Sequence, residues 1–155
     1  MSPALALALG GCLAAHAVTA GMLASPWWVP DLTLIGLVVV VVRTPHRWVI
    51  PSVVAGLSTA AWAIRSSSPI FIAYLLVGWV AQRVARQWDA TDLRVQWLLV
   101  GTAATGLTFG LIWLDDSWSW PIIGLGLVRV AITMVSVPIV RFLMTRVGLP
   151  APFRA

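Results

Sequence analysis

Apolar runs and polar turns alternate along this chain at a spacing that predicts six helices, over 4–23, 27–42, 48–64, 70–84, 95–114 and 121–143. Each run is bounded by prolines, serines or charges, the residues that end helices and form turns. Between the first two runs lies ASPWWVPD, an interfacial turn with two tryptophans at headgroup level. RTPHR, RSSSP, RVARQWDATDLR and DDSWSWP form the remaining connections. The second run is the anomaly. PDLTLIGLVVVVVRTPHR has only an eleven-residue apolar stretch at 32–42, between an acidic turn and a basic one. Eleven helical residues reach about 16 Å, and a bilayer core is about 30 Å thick.

Composition turns this pattern into a class. The chain has 155 residues, 60% hydrophobic and 10% charged, with mean hydropathy +0.95. A soluble domain carries about 25% charged residues. Too little polar surface remains here to coat a water-soluble globule. The expectation is an all-α integral membrane protein, a compact bundle of six transmembrane helices in a single domain spanning 1–155. The first run lacks a basic leader and is nearer twenty residues than ten, so it reads as a retained span rather than a signal peptide.

The charges orient the bundle. All ten basic residues are Arg and all five acidic ones Asp. With six spans, Arg43, Arg47, Arg83, Arg86, Arg94, Arg141, Arg146 and Arg154 share one side. The other side carries Arg65 with Asp31, Asp115 and Asp116, while Arg129 lies within the sixth span. Eight arginines against one place both termini in the cytoplasm. Net charge +5 is spread through turns, not gathered in a phosphate-tracking patch, so nucleic acid is not the expected partner. The bias needs the short second span to cross, with Asp31 outside and Arg43 and Arg47 inside.

Candidate chemistry is sparse. No metal-ligand cluster, phosphate loop or nucleophile elbow is present in the sequence, and the single Cys12 reads as a packed small residue. No cofactor and no catalytic group are expected. His16 reads as a neutral histidine bonded inside the bundle. Asp31, after Pro30, reads as a helix cap or a partner contact. Arg129 is the costly residue, since an arginine inside an apolar span must face polar partners or water. It is either bonded within the bundle or holds an anionic ligand, a lipid headgroup or a partner helix. Thr133 stands one turn on, on the same face. Thr102, Gly106 and Gly110 share a face of the fifth span, where small residues let another helix approach. Asp31, Gly106, Gly110, Arg129 and Thr133 are therefore the candidate partner or ligand contacts.

The order of these parts resembles the MreD family, the small membrane subunit of the bacterial rod-shape (elongation) machinery. The likeness rests on a PDL start to the second span, a Pro-containing basic turn RTPHR, and a central glycine in VVAGL. It continues through IAYLLVGWVAQRV and a last span with proline before a basic end, VSVPIVRFLMTRVG. It covers almost the whole length, each motif being weak alone. The chain departs from the family where an Asp often follows that glycine by about four residues. Here Gly56 is followed by LSTAAW, with Ala60 at that position. The resemblance implies a fold similar to the substrate-binding subunits of energy-coupling-factor transporters. It also implies a non-catalytic scaffold in the bacterial cytoplasmic membrane. Such a scaffold pairs with the bitopic protein MreC and, through it, with the wall glycosyltransferase and transpeptidase. The competing expectation is a substrate-binding subunit of a vitamin-type transporter, with a pocket built from Arg129, Thr133, His16 and Asp31.

Overall fold

The computed structural model describes residues 3–23, 26–62, 67–88, 92–116 and 118–146. The predicted Arg65 turn, in part, and the tail with Arg154 lie outside them. Six α-helices follow one another: α1 Pro3–Met22, α2 Leu32–Arg43, α3 Val49–Trp62, α4 Ser67–Gln87, α5 Leu93–Leu114 and α6 Trp120–Arg146. Short 3-10 turns at Pro26–Trp28 and Pro45–Arg47 precede α2 and α3. No strand occurs among the described residues. By length and composition, α1, α4, α5 and α6 are long and apolar enough to cross a membrane, whereas α2 and α3 are shorter apolar helices.

Local chemistry sets the helix ends. Asp31 caps α2, its carboxylate accepting from the Leu34 amide at 2.9 Å. Thr44 closes the same helix by donating its amide to Val40 and Val41, and Pro45 then prevents continuation. Asp92 caps α5 through the Arg94 amide at 3.0 Å. Pro138 lies inside α6, where it removes one donor from the helical ladder.

α2 is the axis of the molecule. Every residue from Thr33 to Val42 is buried, and the helix packs against all five others. Such complete burial explains its uniformly apolar sequence, because no face of it needs to meet water. In lipid the hydrophobic effect supplies little force between helices, so close packing must do the work. Gly36 shows how close: a Cβ there would stand 2.8 Å from the Cys12 Cβ on α1. Across the bundle, a Cβ on Gly78 of α4 would collide with the Ser52 hydroxyl of α3. The peripheral helices turn large apolar side chains outward, Leu7, Ile72, Leu98 and Ile139 among them.

The level at which α2 begins corrects the sequence reading. The Asp31 amide donates to the Thr133 hydroxyl at 3.0 Å, and Thr133 stands thirteen residues from each end of α6. Asp31 is only 7% exposed. It lies inside the bundle and not on an outer turn, as the charge count had placed it. The chain descends to this level without helix: Val29 is buried, and the Pro26–Trp28 turn packs against α6. Twelve residues give α2 a rise of about 18 Å. Irregular backbone deep in a helical bundle needs internal partners. The Pro30 carbonyl has two, the Leu32 amide at 2.9 Å and His16 at 3.2 Å.

Candidate functional site

The buried start of α2 is where polar groups from all six helices meet. Asp31 supplies the charge. Its carboxylate accepts the Leu34 amide, and both of its oxygens lie 2.9 Å from the Tyr74 hydroxyl of α4. Arg129 of α6 approaches to 3.9 Å from Oδ2, an ion pair without hydrogen-bond contact. The positive end of the α2 dipole adds to the same balance. The carboxylate thus exchanges its water shell for one amide, one phenol, one guanidinium and a helix end.

Thr133 ties this charge to the backbone. Its hydroxyl accepts from the Asp31 amide and donates to the Arg129 carbonyl at 2.9 Å. A single side chain thereby fixes the entry of α2 against α6. Thr59 of α3 also reaches the Tyr74 hydroxyl. Thr108 of α5 lines the same small cavity as Asp31, Thr59, Tyr74, Arg129 and Thr133. On the α1 side, His16 holds the Pro30 carbonyl; since a carbonyl only accepts, Nδ1 carries the proton.

The cavity enclosed by these groups measures about 50 Å³. That is room for ordered water, and far below the roughly 300 Å³ at the lower end of ligand pockets. Among the described residues no group of three or more His, Cys, Asp or Glu side chains could hold a metal ion.

The structure brings three of the five sequence candidates, Asp31, Arg129 and Thr133, into one cluster. The other two lie apart. Gly106 and Gly110 stand on α5, and a Cβ at either would meet nothing within 4 Å. Among the described residues no other helix comes within that distance of either position, and Thr102, two turns before Gly110, is exposed. Asp115 and Asp116 are exposed at the end of α5. Sequence reasoning missed Tyr74, Thr59 and Thr108 as members of the cluster. Tyr74 had one visible signal: it is the only tyrosine, set in an otherwise apolar run. The threonines had none, because a hydroxyl in a membrane helix more often bonds its own backbone, as Thr59 does with Ala55.

No family model, curated protein or solved structure matches the chain.

Proposed function

We propose that this chain is a multi-pass scaffold of a bacterial cytoplasmic membrane, acting in a cell-wall elongation complex of the MreD type. All six helices cross in this reading, α2 by way of its non-helical descent, with both termini cytoplasmic and a fold similar to the energy-coupling-factor substrate subunits. Its role is non-catalytic: it binds an MreC-type bitopic protein and helps couple it to the peptidoglycan glycosyltransferase and transpeptidase.

One observation supports this reading above the transporter-subunit alternative. The central charged groups satisfy one another, and the cavity beside them is about 50 Å³. Arg129, Thr133 and Asp31 hold the entry of α2 instead of lining a vitamin-sized pocket. Interaction then falls to outward helix faces, of which the Thr102–Gly106–Gly110 side of α5 is open. The orientation is supported by Arg43, Arg47, Arg83, Arg86, Arg94, Arg141 and Arg146, which all stand at helix ends or turns of one parity.

The test is co-purification. A tagged chain, extracted in mild detergent from membranes in which an MreC-type protein is co-expressed, is expected to retain that protein through size exclusion. Replacing Gly106 and Gly110 by Leu together should abolish retention without lowering the thermal transition. Recovery of the chain alone, from membranes that contain both proteins, would overturn the reading.

A further inference from the structure

A trough separates α4 from α5, two helices that touch only sparsely. It measures about 230 Å³ and is lined by Leu76, Val77 and Val80 of α4 and by Leu99, Thr102 and Ala103 of α5, over Val38 of α2. Leu76, Val80 and Thr102 are exposed, so the trough opens on the flank of the bundle. The lining is apolar apart from Thr102, whose hydroxyl donates to the Leu98 carbonyl at 2.8 Å. Leu76, Val80 and Arg83 follow one another on successive turns of α4 and share one side of it. The trough therefore leads toward Arg83, about 10 Å beyond Leu76 along the helix axis.

Arg83 is exposed and lies over the Trp79 ring, 5.4 Å from its centroid. No ion pair joins it to a carboxylate among the described residues. A guanidinium laid flat on an aromatic face keeps its in-plane N–H groups free. That fork matches two oxygens of a phosphate. Arg86, exposed three residues on, adds positive charge beside it. Trp88, just past α4, and Trp97, in the first turns of α5, are exposed and mark the headgroup level at this end. An apolar trough below a free cation at that level repeats the order of tail and phosphate in a phospholipid. A helix is about 10–12 Å across, so a trough of this volume suits an extended chain better. α4 carries no acidic residue to meet a choline, which favours a headgroup of net negative charge.

From this we propose that the α4–α5 trough binds an anionic phospholipid, with one acyl chain against Leu76 and Val80 and the phosphate on Arg83. The site goes beyond the scaffold reading and does not depend on it.

Photolabelling of the purified chain in nanodiscs tests the proposal. The probes are phosphatidylglycerol and phosphatidylcholine that carry the same diazirine-bearing acyl chain. Phosphatidylglycerol is expected to label peptides containing 76–80 and 99–103, about five-fold more than phosphatidylcholine does, as a charge-assisted contact requires. Arg83→Gln should remove that preference, and so should Trp79→Leu, which keeps the charge but takes away its platform. Thr102→Leu, which fills the trough from an exposed position, should abolish labelling by both probes. Arg94→Gln, at the same end of the bundle but off the trough, should leave labelling unchanged. The thermal transition of Arg83→Gln should match that of the parent chain, since Arg83 is exposed. Equal labelling by the two lipids, or a preference that survives Arg83→Gln, would overturn the proposal. So would an equal loss in Arg94→Gln, because the lipid would then answer to the overall charge of that end and not to a site.

Discussion

Asp31 is the residue on which the interior depends, and its partners are not equal. The Tyr74 hydroxyl touches the carboxylate at 2.9 Å, while the Arg129 guanidinium stops at 3.9 Å and is partly exposed. Tyr74→Phe removes a hydrogen bond to a buried charge, worth about 1.5–3 kcal/mol. Arg129→Gln keeps a polar side chain of similar reach and weakens a looser contact. Thermal unfolding in detergent should therefore rank Tyr74→Phe as the more damaging; the reverse order would mean that the ion pair dominates. Asp31→Asn tests the cap separately from the charge. Asparagine caps helices about as well as aspartate, and alanine loses about 1 kcal/mol at such a site. Asp31→Asn should thus be milder than Asp31→Ala in the same measurement. Of this cluster, the cost of an intramembrane arginine was legible in sequence, as was the capping capacity of an Asp after proline. That Tyr74 completes the shell was not legible, because it comes from a helix more than forty residues away.

The elements pack by close approach, and α1 against α2 is the clearest instance. The Cβ of an alanine at position 36 would meet the Cys12 Cβ at 2.8 Å, a contact that two backbones must move to relieve. Gly36→Ala should cost about 1–3 kcal/mol, the range for overpacked cores. Cys12→Gly combined with Gly36→Ala should recover part of that loss, because the clashing atom is gone. A double mutant no more stable than the sum of its parts would show that α1 and α2 are not in this contact. The six elements themselves were readable from the alternation of apolar runs with Pro, Ser and Arg, to within three residues at each end except the start of α2, which is Leu32 and not 27. Those runs follow from a rule that acts locally, since each helix satisfies its own backbone. The non-helical descent was not readable. ASPWWVPD suits a surface turn equally well, and only its packing on α6 and the His16 bond to Pro30 draw it inward.

At the scale of the molecule, the described residues form a central helix wrapped by five others, and the proposed orientation can be measured directly. Cys12 is buried, so the parent chain gives a low background for a membrane-impermeant maleimide. Trp118→Cys, before α6, should be labelled on intact cells. Arg47→Cys, in the turn before α3, should be labelled only after permeabilisation. Exchange of those two results would overturn the orientation and with it the cytoplasmic termini.

Sequence alone determined the class of the protein and the order of its helices. Those properties depend on composition and on residues near one another in the chain. Tertiary structure decided what the short second helix is: a buried half-length axis entered through the Pro26–Trp28 turn and capped by a buried Asp31. It also decided that Asp31 lies within the bundle and that Tyr74 of α4 reaches its carboxylate. Both outcomes depend on which helices surround α2, a matter of long-range packing that no local pattern of residues specifies.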